Sequence, residues 1–144
     1  MDTVSMWMSS PAVTASHDTL LPEARRLMQT RSIRRIPVID ADGSLVGIVT
    51  EGDINRVSDS KDTDVRAYNL YHRAGDLPIR EIMTRPVHSV GPDTPILEVA
   101  QLMLEHRIGG IPVVDGRQVI GIITESDMFR LIVQRQSEAS QQQS

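Results

Sequence analysis

One short motif occurs twice in the chain, and this repetition constrains the fold more than any other feature. The copies are Gly47–Asp53 (GIVTEGD) and Gly121–Asp127 (GIITESD). Each copy predicts an apolar strand that runs into a Thr-x-x-Asp turn at the start of a helix. The turn holds a hydroxyl and a carboxylate beside a helix N-terminus, which is a suitable place to bind a sugar and a phosphate.

The similarity between the two copies extends well beyond this motif. Met8–Pro11 matches Met83–Pro86, and Ile36–Asp40 (IPVID) matches Ile111–Asp115 (IPVVD), at a constant offset of 75 residues. The offset falls to 74 at the glycines that open the motif, because the intervening hairpin turn is one residue longer in the first copy. A single gap that falls inside a turn indicates two copies of one structural unit.

Each copy predicts the order strand, helix, strand, strand, helix. Asp18 or Thr19 is the expected N-cap of the first helix, and an Asp-Gly turn predicts a hairpin. The predicted elements of the first copy are strand 12–15, helix 20–30, strands 37–39 and 45–49, and a helix that begins at Asp53. Those of the second copy are strand 87–90, helix 94–106, strands 111–114 and 118–123, and helix 126–134. Because each copy is too small to bury its own sheet, the two sheets are expected to pack together.

Composition excludes several classes of protein. The length of 144 residues favours one compact domain, and the net charge of −4 argues against non-specific nucleic-acid binding. The chain has no cysteine, and its four histidines lack the spacing of metal ligands. No signal peptide or membrane-spanning run is recognisable in the sequence, so we expect a cytoplasmic protein that does not associate with membranes.

Two segments carry no part of the repeat. Residues 58–78 are predicted to be a linker containing a short helix over 64–73. This helix either simply connects the copies or contacts a phosphate or a partner through Arg66, His72 or Arg73. Residues 135–144 are rich in Gln and Ser and are predicted to be a disordered tail.

The paired IPV[IV]D strands and GI[VI]TExD turns closely resemble a tandem cystathionine-β-synthase (CBS) domain pair, also called a Bateman module. The resemblance covers residues 4–57 and 79–134, and the arrangement of the two copies looks like that of the stand-alone bacterial CBS proteins. It implies an α/β (α+β) fold of two β-α-β-β-α repeats that pack sheet to sheet with pseudo-two-fold symmetry. It also implies a homodimer that regulates an unknown partner protein.

In this family the clefts bind adenosine ligands, which are AMP, ADP or ATP and less often NAD or S-adenosylmethionine. The aspartate of the turn binds the ribose, and each cleft draws on both repeats. Carried over by position, one cleft combines Ile122, Thr124, Ser126 and Asp127 with Val13, Arg34, Arg35 and Ile36. The other cleft combines Ile48, Thr50, Gly52 and Asp53 with His88, Gly109, Gly110 and Ile111.

The resemblance therefore implies two unequal clefts. The pair Arg34 and Arg35 suits a phosphate chain, whereas the second cleft has two glycines at the matching positions, with His88, His106 or Arg107 as possible substitutes. Two alternatives stay open at the sequence level. The Thr-x-x-Asp turns can serve only as helix caps, and the module can be a structural dimerisation module with degenerate clefts. Catalysis is not expected, because no nucleophile–base pair, metal cluster or P-loop is recognisable.

Overall fold

The computed structural model describes residues 2–59 and 76–142. A short 3-10 helix spans Ile79–Glu81. In chain order the other elements are α1 (Val4–Trp7), β1 (Ala15–Ser16), α2 (Leu21–Arg31), β2 (Arg35–Ile39), β3 (Leu45–Thr50), α3 (Glu51–Asp59), α4 (Ile96–His106), β4 (Gly110–Asp115), β5 (Gln118–Thr124) and α5 (Glu125–Gln142).

These elements form two compact units. Each unit contains one repeat together with the segment of chain that precedes the other repeat. The first-repeat unit contains the described residues of 13–87 together with 117–119. The second-repeat unit contains 2–12, 88–116 and 120–142. The division into compact units therefore does not follow the order of the two repeats along the chain.

The first-repeat unit is built on a three-stranded sheet. Strand β2 pairs in parallel with β1 and in antiparallel orientation with β3, as the Asp-Gly hairpin turn predicts. Leu77 and Ile79, which lie outside the first repeat, complete its buried core. The Leu21 N–H donates to the Leu77 carbonyl (2.9 Å), and the Ile79 N–H donates to the Thr19 carbonyl (2.8 Å).

The second-repeat unit has the hairpin of β4 and β5, and its core is closed by the N-terminal segment. Val4 is fully buried there, and its N–H donates to the Thr94 carbonyl (2.9 Å). Trp7 packs against the same core, and its indole N–H is buried with no hydrogen-bond partner among the described residues.

The motif glycines allow these added segments to approach the strands. Ile122 exchanges two main-chain hydrogen bonds with Ser9 (2.9 and 3.0 Å). A Cβ atom on the preceding Gly121 would lie 2.8 Å from the Ser9 carbonyl oxygen. At Gly47 the nearest atom to such a Cβ would be the Met83 sulfur, at 2.5 Å. Glycine is therefore required at both positions by close packing.

Several predicted helix boundaries were wrong. Leu20 is the N-cap of α2, and no side chain caps this helix, because main-chain contacts including the bond to Leu77 satisfy its N-terminus. Asp18 instead forms an ion pair with Arg80 (2.5 Å). Helices α3 and α5 begin at the residue after the motif threonine, so the motif aspartate is the third helical residue and not the first.

The prediction of a disordered tail over 135–144 was wrong as far as Gln142, where α5 ends. Gln, Glu and Ala are good helix formers, and side-chain contacts stabilise this stretch. Gln134 donates to Glu138 (3.2 Å), and Arg135 pairs with both Glu138 (3.0 Å) and Asp2. The pKa of Glu138 is lowered, first by the hydrogen bond from Gln134 and then by that from Arg135.

The predicted helix over 64–73 lies outside the described residues. None of the described helices combines the length and the hydropathy that a bilayer-spanning segment needs.

Candidate functional site

The first Thr-x-x-Asp turn is a reciprocal helix cap. Thr50 ends β3, and its N–H donates to Asp53 Oδ2 (2.9 Å). The Asp53 N–H donates in return to Thr50 Oγ1 (3.1 Å). This is the geometry of a capping box, which satisfies two N–H groups at the start of α3. The capping role considered for the motif is therefore present in the fold.

The second turn uses the same two residue types with a different set of bonds. The Thr124 N–H donates to Asp127 Oδ2 (2.8 Å), and the Thr124 hydroxyl donates to the same oxygen (3.2 Å). One carboxylate oxygen of Asp127 therefore accepts both donors of Thr124.

Both aspartates are almost fully buried, and an arginine three residues later engages the second oxygen of each. The exposed fraction is 6% for Asp53 and 2% for Asp127. Arg56 Nη2 lies 3.4 Å from Asp53 Oδ1, and Arg130 Nη1 lies 2.5 Å from Asp127 Oδ1. The arginine side chains themselves are 75% and 66% exposed. Each ion pair therefore joins a buried carboxylate to a guanidinium that is open to solvent.

The sequence reasoning did not identify these arginines, although the signal was present. An Asp-x-x-Arg spacing follows the motif in both copies, and residues three apart on a helix are neighbours.

The residues that precede each IPV strand lie beside the turn of their own repeat. The Glu51 N–H donates to the Arg34 carbonyl (2.9 Å), and Arg35 pairs with Thr50 across β2 and β3. The Glu125 N–H donates in the same way to the Gly109 carbonyl (3.0 Å). The first turn is therefore flanked by two basic residues and the second by two glycines within the same unit. The predicted completion of each cleft by the other repeat stays a prediction.

The remaining predicted site residues have varied surroundings. Ile36, Ile111 and Gly110 are buried in their strands, and Ile48 is buried beside the first turn. Val13 and Ile122 are half-buried, whereas Ser126 and Gly52 are exposed. His88 stacks on His106 with 3.9 Å between the ring centroids. Within the described ranges, no group of three or more His, Asp or Glu residues could hold a metal ion.

A groove of about 390 Å³ lies between α2 and α3 in the first-repeat unit. Its lining mixes apolar side chains with polar and charged ones, which include Arg25, Gln29, Arg34, Glu51 and Asn55. This groove opens beside the first turn, since Glu51 is the first residue of α3.

Comparison with known proteins identifies the family. The family model of the CBS domain matches residues 4–60 and 79–134. The chain belongs to the CBS domain family. This confirms the resemblance inferred from the repeated motifs, and with it the expectation of a mixed α/β fold with small sheets.

Individual relatives include both enzymes and short CBS proteins. The chain is 36% identical over 86% of its length to L-aspartate semialdehyde sulfurtransferase of Methanocaldococcus jannaschii, but it spans only 22% of that protein. It is 31% identical to a CBS domain-containing protein of Dictyostelium discoideum, with 90% of each chain covered. Enzymes among the relatives thus carry the CBS pair as one part of a longer chain.

One solved structure that is similar to this chain contains bound ligands. The CBS domain pair of protein MJ0100 was solved in complex with 5′-methylthioadenosine and S-adenosyl-L-methionine. It is 32% identical to the present chain with a TM-score of 0.80, and the match covers 94% of this chain and 98% of that one.

Proposed function

We propose that this CBS pair is a regulatory module that binds an adenosine nucleotide and passes the binding on to a partner protein as a conformational shift. One observation carries the proposal. Both units hold a nearly buried carboxylate whose inner oxygen is fixed by the motif threonine and whose outer oxygen contacts only an exposed arginine among the contacts described.

The chemistry of this carboxylate suits a ribose. An ionised aspartate is purely an acceptor, and the two adjacent hydroxyls of a ribose are donors. A ribose that displaces Arg56 or Arg130 gives the outer oxygen a neutral donor and frees a guanidinium for phosphate. The MJ0100 complexes support an adenosine ligand, because both of their ligands contain this sugar.

The basic residues favour a phosphorylated ligand, which is AMP, ADP or ATP. Arg34 and Arg35 give the first-repeat unit two guanidinium groups in the loop and strand beside its turn. We retain the prediction that this pair acts with Asp127, whereas Asp53 acts with Gly109 and Gly110. On this basis one high-affinity phosphorylated ligand is expected for each chain.

Calorimetric titration with AMP, ADP, ATP, adenosine, 5′-methylthioadenosine, S-adenosylmethionine and NAD tests the proposal, with GMP as the control ligand. We expect at least one adenosine compound to bind more tightly than about 1 mM. GMP carries the same ribose and phosphate, so its affinity relative to AMP measures what the base contributes. If every adenosine compound fails to bind at millimolar concentration, the proposal is wrong.

The assignment of residues to clefts needs variants that keep the helix caps. Asp127→Asn and Asp53→Asn retain an oxygen that can accept the threonine N–H, so they alter the ligand contact with little change in the turn. Asp127→Asn is expected to weaken AMP binding at least 10-fold, and Asp53→Asn much less. Asp115→Asn, at an exposed carboxylate, is the matched control.

A double-mutant cycle then decides which turn acts with the arginine pair. Arg35→Gln is combined in turn with Asp127→Asn and with Asp53→Asn, and the affinity for AMP is measured for each variant. Coupling with Asp127 alone supports the predicted pairing. Coupling with Asp53 alone instead assigns the arginine to the turn of its own repeat.

A second function is favoured by a separate observation. Each motif carboxylate has protein partners for both oxygens, as expected for a turn whose role is only to cap a helix. In that case the chain is a structural dimerisation module. A stable dimer whose melting temperature does not change with any adenosine compound would support this alternative.

Three expectations, about oligomeric state, location in the cell and catalysis, complete the proposal. We propose that the chain forms a homodimer, acts in the cytoplasm, and is a binding module without an enzymatic reaction of its own. The regulated partner is an unidentified protein. Turnover of a bound nucleotide by the purified chain would contradict the proposal of a module without a reaction.

A further inference from the structure

The groove between α2 and α3 has the size of a small-molecule site, and the nucleotide proposal gives the groove as a whole no role. Its volume of about 390 Å³ lies at the small end of the range of roughly 300–1,000 Å³ for such sites. The apolar lining residues Met28 and Ile54 are buried, whereas Gln29 and Asn55 are exposed. The groove therefore has an apolar floor and a polar rim.

Two oppositely charged side chains line this groove without pairing with each other. The Glu51 N–H donates to the Arg34 carbonyl (2.9 Å), so the two residues are neighbours at the rim. Both are exposed, and neither side chain forms an ion pair or a hydrogen bond with the part of the chain that the structure describes. A guanidinium and a carboxylate are thus both available to a ligand in the groove.

The main chain that carries Arg34 is held on both sides. Helix α2 ends at Ser32, which has a left-handed conformation (φ 54°). The Ile33 N–H donates to the Met28 carbonyl (3.0 Å), and the Arg34 carbonyl accepts the Glu51 N–H. A site whose main chain is fixed in this way loses less conformational freedom when a ligand binds.

The second repeat keeps the apolar floor but replaces most of the polar rim. The floor residues Met28, Ile33 and Ile54 align with Met103, Ile108 and Met128. The rim residues Arg25, Gln29, Arg34 and Asn55 align with Ala100, Leu104, Gly109 and Phe129. Since the two repeats share one fold, the fold itself does not require the polar rim. The rim therefore points to a function that is specific to the first repeat.

The lining favours a ligand that carries both charges and an apolar part. A simple carboxylate would be repelled by Glu51, and a simple amine would be repelled by Arg34 and Arg25. An α-amino acid has a carboxylate, which an arginine can bind through two parallel hydrogen bonds, and an ammonium group, which donates to a carboxylate. An apolar side chain on the same molecule would cover the floor of the groove and leave water.

We infer that the groove between α2 and α3 binds a free amino acid with an apolar side chain, whose carboxylate is bound by Arg34 and whose ammonium group is bound by Glu51. This gives the module a second kind of ligand, beyond the proposed nucleotide. Because Arg34 is also among the residues proposed for the nucleotide phosphate, the experiments on the groove are performed without nucleotide.

A screen of the standard amino acids against the full chain provides the first test. Saturation-transfer difference NMR detects binding, and calorimetry measures the affinity. We expect at least one of leucine, isoleucine, valine, methionine and phenylalanine to bind more tightly than about 1 mM. Aspartate and lysine should bind more weakly, because each adds a charge above the apolar floor.

Analogues that lack one charge provide the second test. For leucine these are 4-methylpentanoate, without the ammonium group, and 3-methylbutylamine, without the carboxylate. Each should bind at least about 10-fold more weakly than the amino acid, because a hydrogen-bonded charge loses its partner. Arg34→Gln should abolish the advantage of the amino acid over the amine, and Glu51→Gln should abolish its advantage over the acid. A purely structural role of either residue would lower all three affinities together.

Matched variants control for charge and for the fold. Glu125→Gln changes the residue aligned with Glu51, and Arg31→Gln changes an exposed arginine that does not line the groove. Both should leave the affinity within about 3-fold of the wild-type value, as is usual for surface substitutions away from a site. Gln29→Leu/Asn55→Phe gives the first repeat the rim of the second and should weaken binding at least about 10-fold.

Each other outcome overturns the inference. No binding by any standard amino acid at about 10 mM contradicts the ligand class. An acid or amine that binds as tightly as the amino acid shows that only one charge is recognised. An affinity unchanged in both Arg34→Gln and Glu51→Gln shows that the ligand binds elsewhere. Binding of AMP without binding of any amino acid contradicts this inference alone, and the reverse result contradicts only the proposed function.

Discussion

Replacing Asp127 should reveal how much of the second turn is structural. In Asp127→Ala the Thr124 N–H and hydroxyl both lose their acceptor, in a position where the carboxylate was 2% exposed. Hydrogen bonds to charged groups contribute about 1.5–3 kcal/mol each, and an N-terminal cap contributes about 1 kcal/mol. The exposed Arg130 contributes at most about 1 kcal/mol. Because these contributions overlap, we expect Asp127→Ala to lower the free energy of unfolding by about 2–4 kcal/mol.

Two further variants separate the cap from the charge. Asp127→Asn keeps an oxygen for the Thr124 N–H, so it should lose only about 1 kcal/mol. Asp53→Ala should lose less than Asp127→Ala, because Asp53 accepts one donor from Thr50, and the Arg56 contact is longer at 3.4 Å. A chain of 144 residues loses roughly 3–4 °C per kcal/mol, so the melting temperature of Asp127→Ala should fall by about 6–16 °C.

Urea unfolding measures these differences with a built-in reporter. Trp7 is the only tryptophan of the chain, and it packs against the core of the second-repeat unit. Its fluorescence therefore follows the unit that contains Asp127, and circular dichroism follows the whole chain. Equal losses for Asp127→Ala and Asp127→Asn would refute the capping argument. A loss for Asp53→Ala as large as that for Asp127→Ala would refute the comparison of the two turns.

Three further predictions concern packing and pH. Leu77→Ala should lower the free energy of unfolding by about 2–5 kcal/mol and reduce hydrogen-exchange protection mainly in the first-repeat unit. An equal loss of protection in both units would contradict this prediction. Gly121→Ala should lower the melting temperature more than Gly47→Ala, because its Cβ would lie 2.8 Å from the Ser9 carbonyl oxygen, whereas at Gly47 the Thr84 carbonyl oxygen is 3.1 Å away and the closer atoms belong to the flexible Met83. Adding Met83→Ala should therefore restore much of the stability of Gly47→Ala, and failure to do so would locate the strain elsewhere. The lowered pKa of Glu138 gives a stabilisation that is present above its unfolded pKa of about 4.3 and is lost as pH falls through the folded pKa. The helical circular-dichroism signal should then fall as the pH is lowered below that unfolded pKa in the wild type, and it should fall less in Glu138→Gln.

The sequence was sufficient for the elements whose structure is set locally. The hairpins and their strands follow from apolar runs on either side of a turn, and the repeat predicted that both copies would share them. Helix α2 was correctly placed because its apolar residues recur at helical spacing. Its N-cap was not, because the carbonyl that accepts the Leu21 N–H belongs to Leu77, more than 50 residues away.

Long-range packing explains the rest of what the sequence did not reveal. The sequence around Val4 does not indicate that this residue completes the core of the second repeat. The sequence around Leu77 likewise does not indicate that this residue completes the core of the first repeat. The ordered end of α5 depends in the same way on Arg135 pairing with Asp2, at the opposite end of the chain. The arginines on the motif aspartates are different, because their spacing is local and repeated and could have been recognised.

The second turn and three exposed apolar side chains share helix α5, and this offers a physical route for regulation. Asp127 is the third residue of α5, and Phe129, Ile132 and Val133 follow it on the same helix. A ligand that displaces Arg130 changes the contacts of the first turn of α5, next to Phe129. If this shifts the helix, the affinity of the dimer must change when ligand binds, and the affinity for ligand must change by the same factor when the dimer forms. We expect a change of about 5-fold or more in the dimer dissociation constant at saturating nucleotide, measured by sedimentation equilibrium. The Asp127→Asn variant should show no change. If nucleotide binds without changing the dimer dissociation constant, the second turn is not coupled to dimerisation. The regulated partner would then contact another surface.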